Sequence, residues 1–375
     1  MLSSAGKRDA KVQLAEARDT SQLDGIRLLA FLTVFLFHNQ NSQDPTWLTW
    51  LESRGWVGVD IFFSLSTFLL FTLFIREFRS TGTFSLSKFY IRRIIRIYPL
   101  MISYCVLMIF IYGPQNDLVI PWILSIIAGI CNISTIIPNM SLSISDTQHF
   151  WTLGFELQVY LFLPFSFLIY AAFSRRALMM GLASLALIAL MSRLVLGFGG
   201  APPAALYLIP QFRPEPSVAG LIIAMGISRG LPDIAAWIGL LAGAALLFAL
   251  PNVDTASGAM VLNYASALVA ASLLHIAIYS RTLAVVLTLA PIAYLGRISF
   301  GLYIFHIWGA RLAGELGTSL SIQPDRPVQM LTGFAITTAL ATLSYWGFER
   351  PINNLKPRSG ARVATTTSTK SPDRP

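Results

Sequence analysis

Apolar residues run through this chain in blocks of about 17 to 22, separated by short polar or basic stretches. At 1.5 Å per residue, each block is long enough to cross the hydrocarbon core of a bilayer as a helix. The pattern predicts spans over roughly 24–40, 56–75, 97–113, 151–173, 177–197, 217–228, 232–250, 260–279, 298–314 and 328–348. A further apolar stretch, 118–137, reads either as a full crossing or as a re-entrant or interfacial segment. Counting it as a crossing puts Arg175, Arg176 and Arg281 outside. Leaving it out gathers most of the loop Lys and Arg on one side, with only Arg54, Arg213 and Arg326 on the other, as the positive-inside rule requires. The expectation is therefore an all-α, polytopic transmembrane helix bundle of about ten spans with both termini cytoplasmic.

Composition excludes a soluble fold. Hydrophobic residues make up 55% of the 375 residues and charged residues 12%, against about 25% charged in a soluble chain. Mean hydropathy is +0.64. The net charge of +9 then bears on topology, and no nucleic-acid partner is expected. Cys105 and Cys131 lie in apolar stretches without metal or disulfide spacing. Segments 1–22 and 356–375 are polar and read as cytoplasmic tails, the second disordered, around one membrane domain over 23–355. No short apolar core with a cleavage site precedes the first span, so no cleaved leader is expected. The chain shows no internal repeat.

Against this apolar background a few ionisable residues stand out within or at the edges of spans: Arg27, His38, Asp60, Glu156, Arg193 and Arg311. Each is costly in a bilayer unless it faces the bundle interior and finds a partner. Arg193 and Arg311, near span ends, suit structural ion pairs or snorkelling. Arg27 and His38 are eleven residues apart, which places them within about 20° of one helical stripe and about 16 Å apart along the axis. One stripe thus carries a permanent cation, suited to phosphate, and an imidazole that exchanges protons near neutrality.

Other short elements add to this pair. Gly55 and Gly58 allow a close helix approach just before Asp60, which suits either orienting His38 or pairing with an arginine. Arg92, Arg93 and Arg96 share one face of an amphipathic segment that suits anionic membrane lipid or a phosphorylated cofactor. Trp151-Thr152-Leu153-Gly154-Phe155-Glu156 opens a later span, and Tyr303 and His306, three apart, share a face. His275 reads as a satisfied interior histidine and His149 as interfacial. The four histidines are dispersed, without carboxylates at ligand spacing, and no metal is expected.

Together these segments resemble the acyltransferase-3 family of integral membrane acyltransferases, over nearly the whole of 23–355. The family's arginine–ten residues–histidine pattern matches Arg27 and His38. Its other elements match Gly58 to Ser66, Arg92 to Pro99, Trp151 to Glu156, Ile298 to His306 and Glu349 to Pro351. Gln211 to Glu215, followed by Gly220, is similar to a further family segment. Three positions depart from the pattern: Thr67 for glycine, expected to tighten a helix crossing; Gly154 for serine, removing a hydroxyl near Glu156; and Phe300 for tyrosine.

The resemblance implies transfer of an acyl group, most often acetyl, from cytoplasmic acyl-CoA to a hydroxyl of an extracytoplasmic or lipid-linked glycan. A small-molecule acceptor such as a macrolide, or a glycan or lipid transporter without catalysis, are the alternatives. It also implies a multi-pass protein of the bacterial inner membrane. Arg27, Arg92, Arg93 and Arg96 would hold the nucleotide end of CoA, with Ser66 and Tyr303 along the donor. His38 would act as general base or transient acyl carrier, oriented by Glu156 or Asp60. Trp151, Arg213 and His306 would face the acceptor. The loops 40–55, 138–150, 198–216 and 313–327, with Trp47, Trp50 and Tyr207, are the expected places for saccharide contacts.

Overall fold

A computed structural model describes residues 21–41, 44–112, 146–280, 283–321 and 325–357. The stretch 118–137 and most of both tails lie outside the described residues, which are helical and turn without strands. In chain order the helices are α1 Ser21–His38, α2 Thr46–Ser53, α3 Val57–Thr81, α4 Leu86–Tyr112, α5 Trp151–Ala172 and α6 Arg175–Phe198. Then come α7 Pro203–Leu208, α8 Glu215–Ala224, α9 Asp233–Ala249 and α10 Ala256–Tyr279. The last are α11 Ala284–Leu287, α12 Ala290–Arg297, α13 Ser299–Ser319, α14 Arg326–Ser344 and, after a π turn over Tyr345–Glu349, α15 Arg350–Asn353.

Local chemistry sets the ends. Gly82 stops α3 in the left-handed region at φ 72°, its N–H returning to Phe78 O. The hydroxyls of Ser174 and Thr255 accept from Ala177 N and Gly258 N to cap α6 and α10. By length and composition five helices qualify to cross a bilayer, counting α2 and α3 together, then α4, α5, α6 and α10. The chain is an integral membrane protein.

One expected span is corrected. In place of 217–228 stands α8, ten residues long and so about 15 Å, too short to cross alone. Pro214 caps it, and Gly226, at φ 68°, turns the chain into a 3-10 segment over Ile227–Gly230. Its buried Ala219, Gly220, Leu221 and Ile223 make it a core element rather than a lipid-facing span. The short helices α2 and α12 were not expected from the sequence.

Helices α1, α3, α8 and α10 pack at the centre, with α12 and α13 against α1. The crossings are tight because small residues meet backbone. A Cβ on Gly58 would lie 2.2 Å from Ala30 O. On α8, a Cβ on Gly220 would lie 2.1 Å from both Ser64 O and Thr67 Oγ1. The threonine that stands where a glycine was expected therefore faces a glycine across the interface. Its hydroxyl lies 3.1 Å from Ser217 O, while Ser64 Oγ donates to Pro216 O at 2.6 Å. Gly220 is what lets the two helices approach this closely, with the Thr67 hydroxyl filling the space opposite it.

Gly220→Ala should push α3 and α8 apart, at a cost of about 1–3 kcal/mol, and lower the thermal midpoint in detergent. Gly181→Ala on α6, where an added Cβ meets nothing within 4 Å, is the control and should not lower it. Equal midpoints for wild type and Gly220→Ala would show that the crossing is not under that constraint.

Candidate active site

A cavity of about 310 Å³ lies between α1, α3, α4, α5 and α13. Arg27, Arg93 and Arg96 line it together, as do Ser66, Glu156 and Tyr160, and then Thr152 and Tyr303. The helix α1 brings Arg27 to this cavity and carries His38 at its far end, as the stripe predicted. Arg27 is held by Asp24 one turn back, and the Arg93 guanidinium lies 6.0 Å from the centre of the Tyr160 ring. Arg92 leaves the group: it lies 3.7 Å from Glu77 on α3 and does not line the cavity. The face that looked uniform in sequence thus divides between cavity and neighbouring helix.

Lys356, just after α15, joins the basic end. Burial and the nearby positive charges of Arg96, Arg93 and Arg92 pull its ammonium down to about 7 from 10.5, with Glu349 opposing. The sequence reading missed this residue because it sits in a stretch that looks like tail.

Midway along the wall, Glu156 accepts hydrogen bonds from Ser66 Oγ at 2.6 Å and from the Tyr160 hydroxyl. The hydroxyl that Gly154 lacks is therefore supplied from α3 and from one turn further along α5. Asp60 is fully buried elsewhere, 2.5 Å from Arg213 and hydrogen-bonded by Ser266. Of its two expected roles it takes the arginine pair. Among the described residues neither carboxylate hydrogen-bonds His38.

Three of the four histidines meet instead. His306 Nε2 is 3.2 Å from His38 Nδ1, and the two ring centres are 4.9 Å apart. His149 packs edge-on against His306 at 4.9 Å and His38 at 6.5 Å. His149 and His306 are buried, whereas His38 is exposed at the end of α1. The hydroxyls of Tyr303 and Thr152 lie 2.6 Å apart and 2.9 and 3.0 Å from the carbonyl of His149, so one hydroxyl donates to the other and the second donates to the carbonyl. This knot lies between the cavity and the rings. The cluster does not form a metal site: among the described residues no three His, Cys, Asp or Glu side chains are arranged to hold an ion.

The expected acceptor residues are placed as follows. His306 is fully buried behind His38 rather than facing outward. Arg213 is also fully buried, with its guanidinium 3.9 Å from the Tyr207 ring centre, so it is an interior residue and not a loop contact. Trp151 packs at 5.7 Å on Tyr207 and at 6.4 Å on Phe155. Trp50 stacks on Phe248 at 3.9 Å, and Trp47 is exposed. His275 lies apart on α10, buried against Tyr279, and neither ring nitrogen has a hydrogen-bond partner among the described residues. Interior it is, but not satisfied. His149, taken as interfacial, is buried as well. Its signal was the position two residues before Trp151, on the same helix entrance.

Residues 20–346 match the acyltransferase-3 family model, described as an acyltransferase domain. The chain is similar to the O-acetyltransferase OatA of Staphylococcus aureus strains NCTC 8325, COL and MRSA252. Each is 27% identical over 356 residues, covering 88% of this chain and 56% of the relative. The chain therefore spans about half the length of these curated relatives. No solved structure matches it.

The buried pair that frames this region gives a direct test. Arg213→Ala leaves Asp60 without its counter-charge and should cost about 3–5 kcal/mol. Arg213→Ala combined with Asp60→Ala should recover part of the loss. Thermal unfolding of wild type and the two variants measures both, and a single Arg213→Ala variant as stable as wild type would remove the pair from the frame.

Proposed function

The chain belongs to the acyltransferase-3 family, and on that footing we propose that it is a membrane O-acetyltransferase. It takes an acetyl group from cytoplasmic acetyl-CoA and places it on a hydroxyl of a cell-envelope glycan on the other side of the bilayer. The observation that carries this reading is the placement of Arg27 and His38 by one helix: the cation lines a cavity, and the imidazole stands exposed beyond its far wall. With the start of α1 on the cytoplasmic side, the basic end lies inside and His38, at the other end of that helix, lies outside. That arrangement suits a donor and an acceptor held in different water phases.

In this reading Arg27, Arg93, Arg96 and Lys356 hold the phosphates of CoA, as charge-assisted donors to anionic oxygens. Arg92, tied to Glu77, supports them from behind. The pantetheine arm runs along Ser66, Glu156 and Tyr160, whose oxygens line the cavity and suit its amide N–H groups as acceptors. The thioester then reaches Tyr303 and Thr152, beneath the histidines. His38 removes the proton from the acceptor hydroxyl, since an alcohol is too weak a nucleophile towards a thioester without a base in contact. Trp151, at the mouth of α5, offers a face to an acceptor sugar. Arg213 contributes through Asp60 and the frame rather than by touch. The name of the relatives, O-acetyltransferase, supports acetyl as the group and oxygen as the acceptor atom.

Purified protein in nanodiscs with acetyl-CoA should release CoA thiol in a manner that depends on an envelope glycan extract. A folded His38→Ala variant should lose about 100-fold or more of that rate. Absence of CoA binding by the wild type would end the acyltransferase reading. A second outcome follows from Lys356, whose neutral form is favoured above about pH 7 by burial and then by its cationic neighbours. Bound phosphates reverse that preference, so CoA binding at pH 8 should take up protons, by calorimetry in buffers of different ionisation enthalpy. Lys356→Met should remove the uptake while leaving binding measurable.

A further inference from the structure

The tautomers of the two bonded histidines follow from their neighbours. The carbonyl oxygen of Tyr303 can only accept, and it lies 2.6 Å from His306 Nδ1, so that nitrogen carries the hydrogen. Neutral His306 then has a bare lone pair on Nε2. His38 Nδ1 lies 3.0 Å from Val34 O, another pure acceptor, and 3.2 Å from that lone pair, so His38 also carries its hydrogen on Nδ1. What remains is His38 Nε2, a free base, on the exposed ring of the pair.

A base that accepts a proton in an apolar bundle needs something to share the new charge. In a catalytic triad a carboxylate does this. Here Glu156 is bonded by Ser66 and Tyr160, and Asp60 is bonded by Arg213 and Ser266. The group in the carboxylate's place is the imidazole of His306, fully buried and unable to meet an acceptor itself.

Building on the acetyltransferase reading, we propose that His306 is a positioning residue for the reaction: it accepts the Nδ1 proton of His38 as His38 Nε2 takes the proton of the acceptor hydroxyl. The acceptor O–H bond breaks and an N–H bond forms at His38 Nε2. The His38 Nδ1–H bond breaks and an N–H bond forms at His306 Nε2. The acceptor oxygen bonds to the thioester carbon, and the tetrahedral intermediate collapses with the C–S electron pair leaving on sulfur. The proton then returns from His306 to His38 Nδ1 while His38 Nε2 protonates the thiolate. The acceptor's proton ends on the CoA thiol, both rings regain their starting tautomers, and nothing is oxidised or reduced. A neutral partner also spares the resting site the cost of a buried carboxylate.

The test compares two variants in the nanodisc assay with acetyl-CoA and glycan extract. In His306→Gln the amide oxygen can accept from His38 Nδ1–H but cannot take its proton. In His306→Phe both capacities are gone. Both should lose about 100-fold in kcat with KM for acetyl-CoA within about threefold of wild type. The wild-type rate in mixtures of H2O and D2O should curve with deuterium fraction, showing more than one proton in flight, and become linear in His306→Gln. A His306→Gln variant that keeps kcat within about threefold of wild type, or a linear wild-type plot, overturns the proposal. Should His306→Gln fail to fold, the wild-type plot decides alone. A wild type that transfers no acetyl group at all would sink the parent reading, whereas a working wild type with an unaffected His306→Gln sinks only this one.

Discussion

Inside an apolar bundle there is no water to satisfy a polar side chain, so each one must find its partner in the protein or go without. Much of this architecture answers that constraint. Arg213 goes to Asp60, Arg193 to Glu215, Arg311 to Asp146, and Arg326 to Glu52 and Asp44. These pairs join segments far apart in sequence and lock α3 to the α7–α8 linker, α6 to α8, and α14 to α2. They are poor reporters of catalysis because their charges are already matched. The cavity stands out for the opposite reason: it gathers Arg27, Arg93 and Arg96 on one surface. Asp24 pairs with Arg27 and Glu156 lies on the same wall, so the three guanidinium groups share two carboxylates there.

The same constraint orders the far end of α1. Arg326 Nη2 donates to Asn39 O and to Glu52 Oε1, both at 2.6 Å, which anchors the residue next to His38 to the start of α14. His306 arrives on α13, and α13 packs closely against α14. The two bonded rings are therefore fixed by neighbouring helices that are themselves clamped together. This is how a 3.2 Å contact between side chains 268 positions apart in the chain is held without a carboxylate.

Relations along one helix were legible in the sequence. The shared stripe of Arg27 and His38, the glycines at the α1–α3 crossing, and the structural pairs of Arg193 and Arg311 all follow from spacing and cost. Relations between helices were not. Nothing in the local pattern tells that Arg92 turns to Glu77 while Arg93 turns to the cavity, or that Asp60 chooses Arg213 over His38. His149 looked interfacial because it stands at a helix entrance, and only tertiary packing buries it against His306. The short α8 misled for a related reason: Gly220 to Ala224 is as apolar as a span, but proline before it and Gly226 after it fix its length. Lys356 was hidden because one lysine among polar residues carries no periodicity to read.

The hydroxyl knot of Tyr303, Thr152 and the His149 carbonyl has a bearing on bioenergetics. On the proposed topology the cavity opens to the cytoplasm and His38 to the opposite phase, so an unobstructed passage would short-circuit the ion gradient that the membrane exists to maintain. A chain of two hydroxyls, one donating to the other and that one to the His149 carbonyl, with Phe62 and Phe63 beside Tyr303 on the cavity wall, leaves few sites for a continuous file of water. The protein would then work as an airlock, passing an acetyl group from one phase to the other without conducting ions.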